Sequence, residues 1–179
     1  MEAGAEPPLA SSSETQSRPE GGGQPEWTVR RAEPGDVAAV MDGVTQLLVE
    51  LGGEGPAPAE MERAVGELIG DRDVGALLVS EATDGNDGIV GVLAASWQHA
   101  IHVPGRYGTI QDLWVHPEWR SRAIGRDLLA AFFELAREEG AKRVEVGLPR
   151  EDFSNLAQTE AFYSANGFVH LGPRMRRVL

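Results

Sequence analysis

Between Trp114 and Ala136 the chain reads WVHPEWRSRAIGRDLLAAFFELA, and its centre holds the residues best suited to chemistry: Arg120, Ser121, Arg122, Ala123, Ile124, Gly125 and Arg126. Small residues at the start of a helix let backbone N–H groups converge on an anion, and flanking arginines add charge-assisted hydrogen bonds. A phosphate-bearing ligand is the first expectation. The Walker A loop is excluded because its glycine spacing and Lys-Ser or Lys-Thr pair are missing, and GxGxxG does not fit either. With no cysteine in the chain, thiol catalysis, disulfides and cysteine-based zinc sites are excluded together, and no serine elbow is present. His99, His102 and His116 are scattered without a carboxylate at ligand spacing, so no metal is expected. His116, before Pro117, reads as a loop residue, and His99 and His102, with Gln98 and Arg106, as loop or surface residues between two strands. Trp97, Trp114 and Trp119 read as packing rather than a cation cage, although Trp114 could line an acceptor pocket.

The elements that must position these residues follow from periodicity. Trp27–Arg31 reads as a strand, and Asp36 after Pro34-Gly35 as the N-cap of a helix with apolar residues at Val37, Val40, Met41, Val44, Leu47, Leu48 and Leu51. Gly52-Gly53 stops that helix, and Met61, Val65, Leu68 and Ile69 mark a second, shorter one. Val74–Glu81 and Ile89–Gln98 read as strands around the turn sequence Asp84-Gly85-Asn86-Asp87-Gly88. Tyr107–Val115 is a further strand, in which simple alternation puts Ile110, Asp112 and Trp114 on one face and Gln111, Leu113 and Val115 on the other. An amphipathic helix follows Gly125 and ends at Gly140. Arg143–Leu148 reads as a short strand, Thr159–Ala165 as a short helix, and Phe168–Leu179 as one or two closing strands. The order is mixed α/β with hairpins as well as crossovers, which speaks against a doubly wound parallel sheet.

Length and composition bound the rest. The chain of 179 residues, 41% hydrophobic and 25% charged, suits one ordinary domain. Residues 1–26 are rich in Gly, Pro, Ser and Glu and carry five Glu against one Arg; they cannot bury enough surface to offset ordering and read as a disordered arm before a domain over 27–179. No stretch is long and apolar enough to span a membrane, and the N-terminus lacks the basic and apolar regions of a secretion signal, so a cytoplasmic location and no membrane partner are expected. The net charge of −12 argues against nucleic acid and suits a cationic partner, although solubility alone also accounts for it.

The run Arg120 to Gly125 resembles the acetyl-CoA loop of the GCN5-related N-acetyltransferases, whose consensus is Arg or Gln, two residues, Gly, one residue, then Gly or Ala. Arg120 and Gly125 match, Ala123 stands where the first Gly is expected, and Ser121 stands where many relatives have Gly. Ala is accommodated there if its backbone stays right-handed; at positive φ, CoA affinity falls. A second stretch, Asn155 to Phe168, is similar to the family's C-terminal signature, with Tyr163 four residues before Gly167-Phe168. The family's Asn stands seven residues before the Tyr, whereas Asn155 lies eight before. Thr109 to Val115 resembles the family's strand beside the acetyl group.

The resemblance spans about residues 27 to 179 and implies the acyl-CoA N-acyltransferase fold, a mixed twisted sheet of about six or seven strands flanked by about four helices. It implies that Arg120, Ser121, Arg122, Ala123, Ile124, Gly125 and Arg126 hold the pyrophosphate of acetyl-CoA, with Asn155 as a further cofactor contact. It also implies that Leu113, Trp114 and Val115 line the pantetheine arm, with backbone N–H groups of Leu113 and Val115 pairing with it as a strand would. Tyr163 would donate a proton to the departing thiolate. Polyamine-type relatives have Glu-Asp where this chain has Gln111-Asp112, and Gln cannot accept a proton; Asp112 is the first candidate base, Glu81 and Glu145 are weaker ones, and a buried cap or ion-pair role for Asp112 stays open. The implied activity is direct acetyl transfer in a ternary complex to a primary amine, a small and plausibly cationic molecule. A protein lysine or N-terminus is an alternative acceptor, and a non-catalytic acyl-CoA sensor is the alternative from another class. A homodimer is a family expectation.

Overall fold

The computed structural model of the chain describes residues 26–83, 88–172 and 177. Strand β1 (Trp27–Arg31) is followed by a 3₁₀ turn, helices α1 (Val37–Glu50) and α2 (Pro58–Gly70), and the long strands β2 (Gly75–Ala82), β3 (Ile89–Ala100) and β4 (Val103–Val115). Helix α3 (Ile124–Glu138), the short strand β5 (Val144–Val146) and helix α4 (Leu156–Ala165) complete the order. One five-stranded sheet runs β1-β2-β3-β4-β5, antiparallel except for the parallel pair β4–β5. Among the described residues this is fewer than the six or seven strands expected. Phe168–Gly172 is irregular rather than a strand, and the remainder of that expected strand lies largely outside the described residues. Residues 84–87 of the expected hairpin turn are likewise outside them, while Ala82 N–H bonds Gly88 O across its base at 2.9 Å.

Apolar residues divide by strand alternation into two cores, one on each face of the sheet. On one face α1 and α2 bury Val40, Met61 and Val65 against Leu77, Val79, Val92, Ala94 and Trp114. On the other, α3 lays Ile124, Leu128, Leu129 and Phe132 over Leu93 and Ile110, and Tyr163 of α4 joins the same cluster. The apolar stripe of α3 thus fixes where its N-terminus, and the arginine run before it, meets the end of β4.

Several boundaries depart from the sequence reading. Helix α2 begins at Pro58, because Pro at a first helical position lacks the N–H that would be orphaned there. α4 begins at Leu156 rather than Thr159, and β5 is shorter than Arg143–Leu148. Strands β3 and β4 extend farther toward each other, so His99 and Arg106 face each other within the hairpin and only His102 lies in its turn. Asp36 sits at the N-cap of α1 but does not cap it with its side chain. Its carboxylate instead accepts from both terminal nitrogens of Arg30, at 2.7 and 3.0 Å, and from Glu33 N–H at 2.7 Å. That pairing holds the Asp36 carboxyl below its ordinary range, the Arg30 hydrogen bond being the largest cause.

Candidate active site

A one-residue bulge in β4 organises the site. Ala94 pairs with Asp112 while the next residue of β3, Ala95, pairs with Ile110, leaving Gln111 as the extra residue. Past the bulge, His116 N–H donates to Val90 O at 2.9 Å, so by alternation Trp114 and Asp112 also turn their backbone groups toward β3. Leu113 and Val115 therefore present theirs to the opposite side, where β5 would lie. Before the bulge it is Gly108 that faces β5, donating to Arg143 O at 3.0 Å. The β4–β5 pairing ends at Ile110–Val146, so among the described residues Leu113 and Val115 lie on a strand edge beyond the last β5 pair. An extended ligand can add to such an edge as another strand.

The bulge also overturns simple alternation of the side chains. Ile110 lies in the α3-side core with Leu113 and Val115 packed against it, whereas Trp114 lies in the α1–α2 core. Trp114 is buried, and its Cε3 is so near α1 that a Cβ on Gly43 would come within 2.8 Å of it. Its indole N–H is buried without a hydrogen-bond partner. Asp112 pairs with Ala94 and so shares that face; Gln111, the bulged residue, is exposed and donates from Nε2 to Ser96 Oγ at 2.9 Å.

Beyond β4, a 3₁₀ turn at Pro117–Trp119 leads to the arginine run and α3. Ser121 and Ala123 both have left-handed backbone, at φ 64° and 73°. Both are the positions where glycine would be unstrained, so the condition under which Ala123 lowers ligand affinity is met. Alternation of this kind turns successive N–H groups toward one centre. Ala123 is the N-cap of α3 and carries no side-chain acceptor; the first helical bond there is Asp127 N–H to Ala123 O at 3.0 Å. The N–H groups of Ile124, Gly125 and Arg126 are left to an external partner, and the helix dipole favours an anion at that place. At Gly125 a Cβ would lie 3.2 Å from Phe162 Cζ and 3.8 Å from Val115 Cγ2, so its bare backbone lets α3, α4 and the end of β4 meet. The three arginines have carboxylates near them: Arg120 bonds Glu50 at 2.6 Å, Arg122 pairs with Glu26 at 3.6 Å and lies 4.7 Å over the Trp119 ring, and Arg126 is 3.5 Å from Asp127.

Tyr163 is brought to the same region by α4. Its ring is buried, packed edge-on between Phe162 and Phe168 at 5.2 and 5.3 Å. Burial, with the Asp112 charge adding to it, pushes its hydroxyl up to about 12. Asp112 is therefore within electrostatic reach of Tyr163, and burial raises its own carboxyl above the ordinary range. Asn155 sits at the exposed N-cap of α4, where its main-chain oxygen accepts from Thr159 N–H at 3.0 Å and from the Thr159 hydroxyl at 3.1 Å. The weaker base candidates lie apart: Glu81 of β2 is bonded to Arg30 at 2.9 Å, and Glu145 of β5 is buried and paired with Arg143 at 2.7 Å. His116 caps the 3₁₀ turn, accepting from Glu118 N–H at 3.4 Å, and His102 Nε2 lies 3.3 Å from Arg143. Among the described residues no group of three or more His, Asp and Glu is placed to hold a metal ion. Sequence reading missed Glu50 and Glu26 as partners of Arg120 and Arg122, and no local signal relates them; Phe162 and Phe168 pack beside Tyr163 as their neighbouring positions suggest.

These features, among the described residues a free β4 edge beside a helix start with unpaired N–H groups and a buried phenol, are what a site for an extended phosphate-bearing ligand requires. The family model of the acetyltransferase (GNAT) family matches residues 44–168, and the chain belongs to that family. Solved structures agree in fold. An acetyltransferase from Trypanosoma brucei superposes with a TM-score of 0.66 at 20% identity, covering 86% of this chain and 99% of that one. Glucosamine-6-phosphate N-acetyltransferase from Arabidopsis thaliana does so with a TM-score of 0.66 at 18% identity, over 85% and 97% of the two chains. An aminoglycoside N-acetyltransferase in complex with CoA gives 0.70 at 15% identity, over 86% and 94%. No curated protein sequence matches the chain.

Proposed function

We propose that the protein is an acetyl-CoA-dependent N-acetyltransferase that moves the acetyl group directly to a primary amine in a ternary complex. The observation that carries this reading is the β4 edge past the bulge, where Leu113 and Val115 direct their N–H groups away from β3 beyond the last pair with β5. One of those N–H groups would polarise the thioester carbonyl, and both would hold the pantetheine arm in register. The N–H groups of Ile124, Gly125 and Arg126, with Arg120 and Arg122, would receive the pyrophosphate. Acetyl-CoA supplies the activated acyl group and a thiolate leaving group.

Tyr163 serves at the leaving sulfur. A phenol near 12 stays protonated throughout the working range, so Tyr163 is a hydrogen-bond donor to developing thiolate charge at any physiological pH. Asp112, with its carboxyl raised by burial, is the group suited to accept the amine proton, directly or through a water. The acidic chain favours a small cationic amine as the acceptor. The second reading, an acyl-CoA sensor without turnover, draws on Gln111, which is occupied by Ser96 and cannot act as a base.

The test is thiol release from acetyl-CoA over a panel of polyamines, aminosugars, aminoglycosides and lysine-bearing peptides, with Tyr163→Phe as the control. Amine-dependent release that falls on the order of 10²-fold in kcat in the variant, with CoA affinity retained, is the expected result. Turnover unaffected by Tyr163→Phe removes Tyr163 from the mechanism. Tight CoA binding without release on any amine selects the sensor.

A further inference from the structure

We propose that Glu50 is an internal competitor for the CoA pyrophosphate, holding Arg120 until phosphate displaces it and thereby linking cofactor binding to the last turn of α1; this rests on the acetyl-CoA reading above. Arg120 makes two bonds that differ in kind. Its Nε donates to Val115 O at 3.0 Å, which anchors the side chain at the end of the β4 edge. Its Nη2 donates to Glu50 Oε1 at 2.6 Å, across 70 residues of sequence. The Nε bond is to backbone and leaves the outer face of the guanidinium to exchange a carboxylate for a phosphate, both being anions that match its donor fork. No large movement of the arginine is needed.

Glu50 is the last residue of α1, and the bonds that close this end are Leu51 N–H to Leu47 O, Gly52 N–H to Val49 O and Gly53 N–H to Leu48 O, at 3.0, 3.0 and 2.9 Å. No basic residue lies in the last turn of α1 itself; two reach in from elsewhere, Arg120 from the loop before α3, paired with Glu50, and Arg150, whose Nη2 would lie 3.6 Å from a Cβ on Gly52. When a phosphate takes the carboxylate's place on the guanidinium, this turn loses the Glu50 ion pair, and the phosphate offsets the Arg120 charge beside the negative end of the helix dipole. The segment from Leu51 to Ala57 then starts from a looser end. Glu50 acts through Arg120 and is a positioning residue. Both side chains are partly exposed, so solvent weakens the pair and a modest effect is expected.

Coenzyme A is titrated calorimetrically into the full chain, into Glu50→Gln, into Arg120→Ala and into the double variant. Glu50→Gln is expected to bind CoA about two- to fivefold more tightly, Arg120→Ala more weakly, and the Gln substitution to have no effect once Arg120 is gone. A purely structural contact would not strengthen binding when broken. In parallel, amide exchange at Leu51, Gly52 and Gly53 is expected to speed up when CoA is added to the wild-type chain and to be fast already in free Glu50→Gln. If CoA binds the wild type but Glu50→Gln leaves affinity unchanged or lowers it, or these amides do not respond, the competitor role is overturned and the acetyl-CoA reading stands. If wild-type protein binds no CoA, the acetyl-CoA reading itself falls.

Discussion

Replacing Ala123 by glycine should stabilise the protein, opposite to the loss that an alanine-to-glycine change brings where the backbone suits alanine. Ala123 has φ 73° as the N-cap of α3, and the left-handed region costs an L-residue with a Cβ about 1–2 kcal/mol. Glycine removes that strain but loses more backbone freedom on folding, about 0.5–1 kcal/mol relative to alanine. The two ranges leave a gain of about 0–1.5 kcal/mol centred on about 0.8 kcal/mol, which is a rise in Tm of about 2–3 °C for a domain of this size. Thermal unfolding followed by circular dichroism measures it directly. Because the relaxed loop presents the same N–H groups with less strain, CoA should bind Ala123→Gly at least as tightly as wild type. Ala123→Val, with a branched Cβ in the same conformation, should lower Tm instead. A loss of 1 kcal/mol or more in Ala123→Gly would refute the reasoning, since that is the signature of a residue whose backbone is right-handed in solution.

Three further outcomes are expected. Asp112→Asn should raise stability at neutral pH: burial raises this carboxyl in the folded state, so its favourable contribution is present below the ordinary carboxylate range and is lost as pH rises through the raised value. Urea melts at pH 4 and pH 7 should show the gain at pH 7 alone, while amine turnover falls. Asp36→Asn should destabilise by about 1–3 kcal/mol at pH 7 through loss of the charged bonds to Arg30; the lowered Asp36 carboxyl gives stability above its ordinary range that vanishes as pH falls through the depressed value, so the two proteins should converge in acid. Gly43→Ala should cost about 1–3 kcal/mol in urea unfolding, because its Cβ would come within 2.8 Å of Trp114 Cε3 in a filled core.

The parts of the site that were legible in the sequence are those fixed by nearby residues. Arg120 to Gly125 announced an anion-receptive helix start because the arginines, small residues and following apolar stripe are contiguous, and Tyr163 with Gly167-Phe168 lies within one short stretch. Ala123 reads as the sensitive position from its place in the motif, yet its left-handed φ follows from how the turn joins β4 to α3. The bulge at Gln111 was invisible for a similar reason: it depends on the register with Ala94 and Ala95, residues on another strand. That one extra residue decides which backbone groups reach the ligand edge and reverses the face expected for Ile110 relative to Trp114. Asp36 looked like a helix cap because Asp is a good one, but Arg30 six residues earlier offers its carboxylate a charged partner that backbone N–H groups cannot match. Glu50 and Arg120 were beyond reach, since nothing local relates residues 70 apart in sequence.

The measurement that bears most directly on the acetyl-CoA site is residue-resolved amide hydrogen exchange of the full chain with and without coenzyme A. Slowed exchange on CoA addition is predicted at Leu113 and Val115 on the β4 edge and at Ile124, Gly125 and Arg126 at the start of α3. Asp112 and Trp114, whose backbone groups already face β3, should change little. CoA that binds while leaving Leu113 and Val115 unprotected, or that protects Asp112 and Trp114 in their place, would contradict the account.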